Sequence, residues 1–306
     1  MNSPSNKVKK TTSRCGFIAL VGRPNVGKST LLNHLLRQKI SITSRKPQTT
    51  RHRITGVRTI TDTQFIYVDT PGLHHERKKP LNRMMNETVE RVIRDVDVVI
   101  FMVERLVWTD EDELVCKALK GVNKPVLLLI NKCDLLADKE KILPHIDMLS
   151  RKGSFAEIVP VSALKGYNLD VIDEVVRKYL PEGEFLFPAD QVTDRSSRFI
   201  AAEMIREKIT RQLGDELPYE TTVQIEKFSD EGKVLHIHGL ILVEKKGQKQ
   251  ILIGKGGGRL KTIGTAARED MEKAFDKKVM LKLWVKVKSG WGDNERALKS
   301  LGYTDY

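Results

Sequence analysis

Residues 22–29 read Gly22-Arg23-Pro24-Asn25-Val26-Gly27-Lys28-Ser29, set between an apolar run, FIALV, and a helical pattern, STLLNHLL. The G-x-x-x-x-G-K-[ST] spacing between a strand and a helix marks a phosphate-binding loop. Its glycines let backbone N–H groups wrap a phosphate, and the helix N-terminus adds partial positive charge. Lys28 is placed to reach the β and γ oxygens and Ser29 to hold Mg²⁺. Such a loop commits the first part of the chain to a doubly wound α/β domain with a mostly parallel sheet. Short β-branched runs at 17–21, 64–68, 98–103, 126–130 and 157–161 alternate with longer helical stretches, as that architecture requires.

Each later strand ends on a short polar signal, where ligands bind in such sheets. Asp69-Thr70-Pro71-Gly72 follows QFIYV, so the carboxylate serves the metal's water shell and the Gly72 N–H meets the γ-phosphate. Asn131-Lys132-Cys133-Asp134 follows VLLLI. A carboxylate at Asp134 accepts both N–H groups on the edge of guanine, an arrangement of donors that adenine lacks, so GTP is expected rather than ATP. Ser162-Ala163 follows IVPV and offers backbone donors to the guanine carbonyl. The order of these four signals carries the inference, because each alone is a common turn.

Between the first helix and the second strand, residues 37–58 hold seven basic and no acidic residues. This segment is either a solvated loop or a switch that touches nucleotide or RNA. Within it a threonine hydroxyl can complete the Mg²⁺ shell, and Thr50 is preferred to Thr49. Leu73 follows Gly72 where many signalling GTPases place the glutamine that orients water. Unaided hydrolysis is therefore expected to be slow, and Asn25 is the candidate ligand for a potassium ion that would assist it. His74 and His75 are read as surface residues rather than catalytic bases.

A second domain follows punctuation at Pro181 and Pro188. We divide the chain into a flexible lead at 1–14, a GTPase domain at 15–181, a linker at 182–195, an RNA-binding domain at 196–290 and a tail at 291–306. The second domain opens with an amphipathic run at 198–213, then strand-like segments at 221–228 and 234–243. Gly254-Lys255-Gly256-Gly257 matches the GXXG turn with which KH domains approach the backbone of about four nucleotides. A helical pattern runs on from it with Arg259 and Lys261 near its start. The last strand alternates, with Val279, Leu281, Leu283, Val285 and Val287 on one face and Lys282, Trp284, Lys286 and Lys288 on the other. That second face is either solvated lysine or a basic surface with Trp284 for stacking. His236 and His238 share a strand face and are read as surface residues rather than ligands.

The charge balance supports a polyanionic partner. Lys and Arg exceed Asp and Glu by 13 in 306 residues, and residues 233–288 hold 14 basic and five acidic side chains. No apolar run reaches the roughly 18 residues of a membrane span. The basic N-terminus has no signal-peptide core, and a cytoplasmic protein is expected. Cys15, Cys116 and Cys133 have no zinc-ligand spacing and are read as reduced.

Taken together, GRPNVGKST, QTTRHRITGV, YVDTPGLH, NKCD, EMIREKI and LWVKVKSGWGDNERALKSLGY resemble the Era family of bacterial ribosome-associated GTPases over nearly the whole chain. The resemblance implies a type II KH fold in which GQKQILI is a short helix, although its residues alone allow a strand. It also implies binding near the 3′ end of small-subunit ribosomal RNA, a role in small ribosomal subunit biogenesis, and peripheral contact with the inner membrane. A monomer is expected. Two rivals stand beside it: a metabolic phosphotransferase, against which Asp134 argues, and a passive RNA- or membrane-binding protein with a vestigial nucleotide site.

Overall fold

The computed structural model describes residues 12–44, 46, 49–73, 80–138, 140–213 and 220–300. His74, His75 and most of the expected flexible lead lie outside them.

A six-stranded sheet in the order β2-β3-β1-β4-β5-β6 organises the first domain, from β1 (Arg14–Val21), β2 (Ile54–Ile60), β3 (Thr63–Asp69), β4 (Val98–Glu104), β5 (Val126–Asn131) and β6 (Glu157–Pro160). β1 pairs in parallel with β3 and β4, β4 with β5, and β5 with β6, while β2 alone runs antiparallel to β3. Strand β2 is absent from the sequence-based expectation: its run, ITGVRTI, is interrupted by Gly56 and Arg58 and reads as loop. At Gly56 a Cβ would stand 2.4 Å from Leu36 Cδ1 and 2.9 Å from Leu32 Cδ1, so α1 packs close where the strand carries no side chain.

Five helices cover the two faces. α1 (Lys28–Leu36) and α5 (Asp170–Tyr179) bury Leu31, Leu32, Leu35, Ile172 and Val176 against one side. α2 (Pro80–Asp95), α3 (Asp110–Leu119) and α4 (Ile142–Ser150) bury Val89, Val92, Ile93, Val115 and Leu149 against the other. Each such side chain stabilises the fold by about 1.5–3 kcal/mol relative to exposure. Both faces being covered, the central strands are apolar along their length, which is why they read as continuous runs.

The second domain has a three-stranded sheet, β7 (Thr221–Asp230), β8 (Val234–Val243) and β9 (Lys278–Val287), with β7 antiparallel and β9 parallel to β8. α6 (Ser197–Gln212) and α8 (Gly258–Phe275) pack on one side of it through Ile205, Ile209, Ile263, Ala267 and Met271. GQKQILI falls in a helix, α7 (Lys246–Ile253), and the Gly254–Gly257 turn joins α7 to α8.

Residues 182–195 run against the first domain. Val57 donates its N–H to the Val192 carbonyl at 2.7 Å, and Gln64 takes the N–H groups of Leu186 and Phe187 at 2.9 and 3.0 Å. The tail also returns. Trp291 and Leu298, the latter on α9 (Glu295–Ser300), are buried against Leu81 and Met85 of α2.

Candidate functional site

The loops after β1, β3, β5 and β6 meet at the carboxyl edge of the sheet and enclose a cleft of 960 Å³. Its floor is the 22–29 loop. Gly22 has φ +151° and Gly27 φ +111°, and a Cβ on Gly27 would lie 2.2 Å from Asn131 Nδ2, so both positions need glycine. Asn25 holds a left-handed φ of 62°, which asparagine tolerates better than most residues. The Lys28 ammonium donates to the carbonyls of Gly22 at 2.9 Å and Arg23 at 3.0 Å. Burial pulls its pKa from 10.5 down to about 8, against the upward pull of Asp69.

Three oxygens converge beside Lys28. Ser29 Oγ donates to Asp69 Oδ2 at 2.7 Å and lies 2.8 Å from Thr50 Oγ1. Thr49 Oγ1 instead donates to the Lys46 carbonyl at 2.6 Å, so of the two threonines Thr50 is the one that reaches the cluster. Ser41 Oγ also donates to Asp69 Oδ2, at 2.9 Å. Sequence reasoning missed this contact, because a lone serine in a loop carries no spacing signal. Burial raises the Asp69 pKa while Lys28 and the three hydroxyls oppose it. Asp69 Oδ1 is buried without a hydrogen-bond partner among the described residues. A cluster of hard oxygen donors with one orphaned carboxylate oxygen fits Mg²⁺.

Thr70 anchors the next turn, donating to the Leu20 carbonyl at 2.7 Å, and Pro71 leads to Gly72, where a Cβ would stand 2.7 Å from Pro24. Leu73 turns inward and is buried with Val21 and Val68. It presents no polar atom to a water molecule at the phosphate end.

At the other end of the cleft Asn131 lines the wall and also braces two loops. Its Nδ2 donates to the Val26 carbonyl at 2.8 Å and its Oδ1 accepts the Ala163 N–H at 2.9 Å. Asp134 accepts from Ser162 Oγ at 2.6 Å, which leaves its other oxygen for a ligand. Lys132, at φ 64°, pairs with Glu104 at 2.9 Å, and Glu104 also holds Arg23 at 2.7 Å. Cys133 begins the short turn that carries Asp134, and its thiol donates to the Ile130 carbonyl.

Helix α6 of the second domain grips the segment that carries Thr50. Glu207, fully buried, accepts from the Thr43 N–H at 2.9 Å, from Lys39 at 2.5 Å and from Arg211 at 3.0 Å. Lys39 also reaches Asp270 of α8 at 2.7 Å. Arg206, held by Glu203 at 2.6 Å, donates to the Thr49 carbonyl, and Arg51 donates to the Thr221 carbonyl at 2.9 Å. Arg211 lines the nucleotide cleft itself. These charges look from sequence like the solvated side of an amphipathic helix. They are buried because the first domain covers that side.

The GXXG turn lies away from this cleft. Gly254, Gly256 and Gly257 have φ of 73°, 57° and 77°, and Lys255 is exposed. Arg259 donates to the Ile251 carbonyl at 2.7 Å and Lys261 is exposed, so the turn opens to solvent with cations around it.

Comparison with known proteins matches a 50S ribosome-binding GTPase model to residues 17–132 and a KH domain model to residues 216–292. The GTPase Era of Azotobacter vinelandii is 61% identical over 297 residues, covering 97% of this chain and 99% of its own. The chain belongs to the Era family of GTPases. GTPase Era of Pseudomonas aeruginosa is 60% identical, with 96% of each chain covered. Among solved structures, an Aquifex aeolicus Era variant bound to GDP and AlF₄⁻ superimposes with a TM-score of 0.92 at 41% identity, over 95% of this chain and all of the other. An Era in complex with MgGDPNP and nucleotides 1506–1542 of 16S ribosomal RNA gives the same score and identity over 96% of this chain. Like other Era members, the chain is a P-loop GTPase with a C-terminal KH domain.

Proposed function

We propose that this chain is a GTP-timed clamp on small-subunit ribosomal RNA, binding near its 3′ end and assisting small ribosomal subunit biogenesis. One observation carries the coupling: Thr50 stands 2.8 Å from Ser29 in the nucleotide site while the carbonyl of its neighbour Thr49 is held by Arg206 of the KH domain. Nucleotide and RNA domain thus share one segment. The ribosomal destination rests on the Era relative that holds 16S RNA, which resembles this chain across both domains. The family label naming the 50S particle covers residues 17–132 alone.

In this proposal Ser29, Thr50 and Asp69 would hold Mg²⁺, which when bound would offset the negative charge of the nucleotide's phosphates. Lys28 and the N–H groups of 22–29 cradle those phosphates, with Gly72 meeting the γ-phosphate. Asp134 reads guanine, Ser162-Ala163 its carbonyl. Leu73 leaves water positioning to another group, and Asn25 helps hold potassium against the phosphates. Turnover by wild type should therefore be faster in potassium than in sodium, and Asn25→Ala should abolish the difference; a variant equally potassium-dependent would contradict this role.

Lys255, Arg259 and Lys261 around the GXXG turn supply the cations for the RNA backbone. The chain works as a cytoplasmic monomer with peripheral contact at the inner membrane, consistent with its basic charge; none of the described helices is long and apolar enough to cross a bilayer. Crosslinking the protein to RNA in cells, in GTP- and GDP-locked forms, tests the proposal. Recovery of 16S 3′-end sequence is expected, and recovery chiefly of transfer or messenger RNA would overturn it.

A further inference from the structure

The face of the KH sheet turned away from its helices carries side chains that none of this chemistry uses. On β9, Val279, Leu281, Leu283, Val285 and Val287 pack into the domain core, while Lys278, Met280, Lys282, Trp284 and Lys286 are exposed. Trp284 is the anomaly. An indole 37% exposed at the middle of a strand forgoes much of the stabilisation its burial would bring, whereas Trp291 is buried and Trp108 half-buried.

The ring is held in place, not left loose. His238 on β8 meets it edge-on at 5.8 Å between centroids, with the planes at 71°. Side chains two apart on one strand face stand about 6.6 Å from each other, so Lys282 and Lys286 flank the indole on either side. β9 contains no Asp or Glu, and neither lysine forms an ion pair with a described residue. On this face His236 pairs with Glu231 toward the far end of the sheet, and Glu244, two residues beyond Leu242 on β8, is taken up by the N–H groups of Gly290 and Gly292.

A solvated lysine face accounts for the cations but not for the indole. A lipid contact would need a broader apolar surface than Trp284 and Met280 supply. A flat aromatic face between two cations that form no ion pair with a described residue matches a nucleobase with a phosphate on each side. Position agrees: β9 is an outer strand of its sheet, and α7, which leads into the GXXG turn, packs against it. A strand leaving that turn reaches the outer face by crossing one edge.

We propose that Trp284, Lys282 and Lys286 form a second single-stranded RNA contact, a stacking platform for a base beyond those gripped at Gly254–Gly257. The proposal rests on the RNA-binding function above, so its test separates the two. Full-length protein is titrated by fluorescence anisotropy with a four-nucleotide RNA, matching the footprint of the turn, and with a twelve-nucleotide RNA of the same 5′ sequence.

Trp284→Ala should weaken the longer RNA roughly tenfold and leave the shorter unchanged, with Trp284→Phe restoring most of the loss. Lys282→Ala with Lys286→Ala should flatten the salt dependence for the longer RNA by about 1.4 in log–log slope, two phosphates at ~0.7 each. Both RNAs unaffected, or both weakened equally, would overturn the platform. Loss of binding to phosphatidylglycerol vesicles with RNA affinity intact would overturn it in favour of lipid. If wild type bound neither RNA, the RNA function itself would fall.

Discussion

Lys28 shows how one residue ties burial to ligand binding. Its ammonium is out of water before any phosphate arrives, so its pKa sits at about 8. Phosphates restore the favourable partner and hold the proton on. The nucleotide therefore binds the protonated lysine more tightly, and affinity should be flat below pH 8 and fall roughly tenfold per unit just above it. Isothermal titration with GDP between pH 6.5 and 9, in buffers of different ionisation enthalpy, checks this through proton uptake above pH 8. An affinity that stays constant to pH 9 would mean that the buried ammonium is already compensated. Asp69, beside it, is shifted the opposite way by the same burial, so each of the pair depends on the other for its charge.

At the scale of elements, α6 is the part whose role differs most from its sequence pattern. Its apolar residues Ile205 and Ile209 face the KH sheet as the helical period requires. Glu203, Arg206, Glu207 and Lys208 are buried too, against the segment that carries Thr43, Thr49 and Thr50. Arg206→Ala should thus raise the Kd for a GTP analogue by about tenfold, the cost of a charged hydrogen bond lost from a buried site, while GDP binding should barely change under the role proposed for Thr50 beside the γ-phosphate. Equilibrium binding of fluorescent GDPNP and GDP checks it; equal weakening of both would assign Arg206 to stability alone.

The strands β1, β3, β4, β5 and β6 were legible because burial concentrates apolar, β-branched residues in each of them, and the loops after them because glycines and polar residues recur at fixed spacing at the strand ends. Strand β2 was not legible, since Gly56 and Arg58 interrupt its pattern to suit Leu36 and Asp173. Nor were the bonds by which the Asn131 side chain knits two loops distant in sequence, or that of Ser41 to Asp69. Long-range packing, unlike a motif, leaves no local trace.

Across the whole molecule the C-terminal part meets the first domain at two places. α6 holds the segment of Thr50, and the tail packs through Trp291 and Leu298 on Leu81 and Met85 of α2. Coupling of this kind is reciprocal: if GTP tightens RNA binding, RNA must tighten GTP binding by the same factor. The most direct test is the Kd for a 16S 3′-end RNA measured with GDPNP and with GDP, in wild type and in Arg206→Ala. RNA binding should be at least about fivefold tighter with GDPNP in wild type, a coupling of ~1 kcal/mol, and the ratio should fall near one in the variant. Equal RNA affinity in the two nucleotide states of wild type would contradict this coupling.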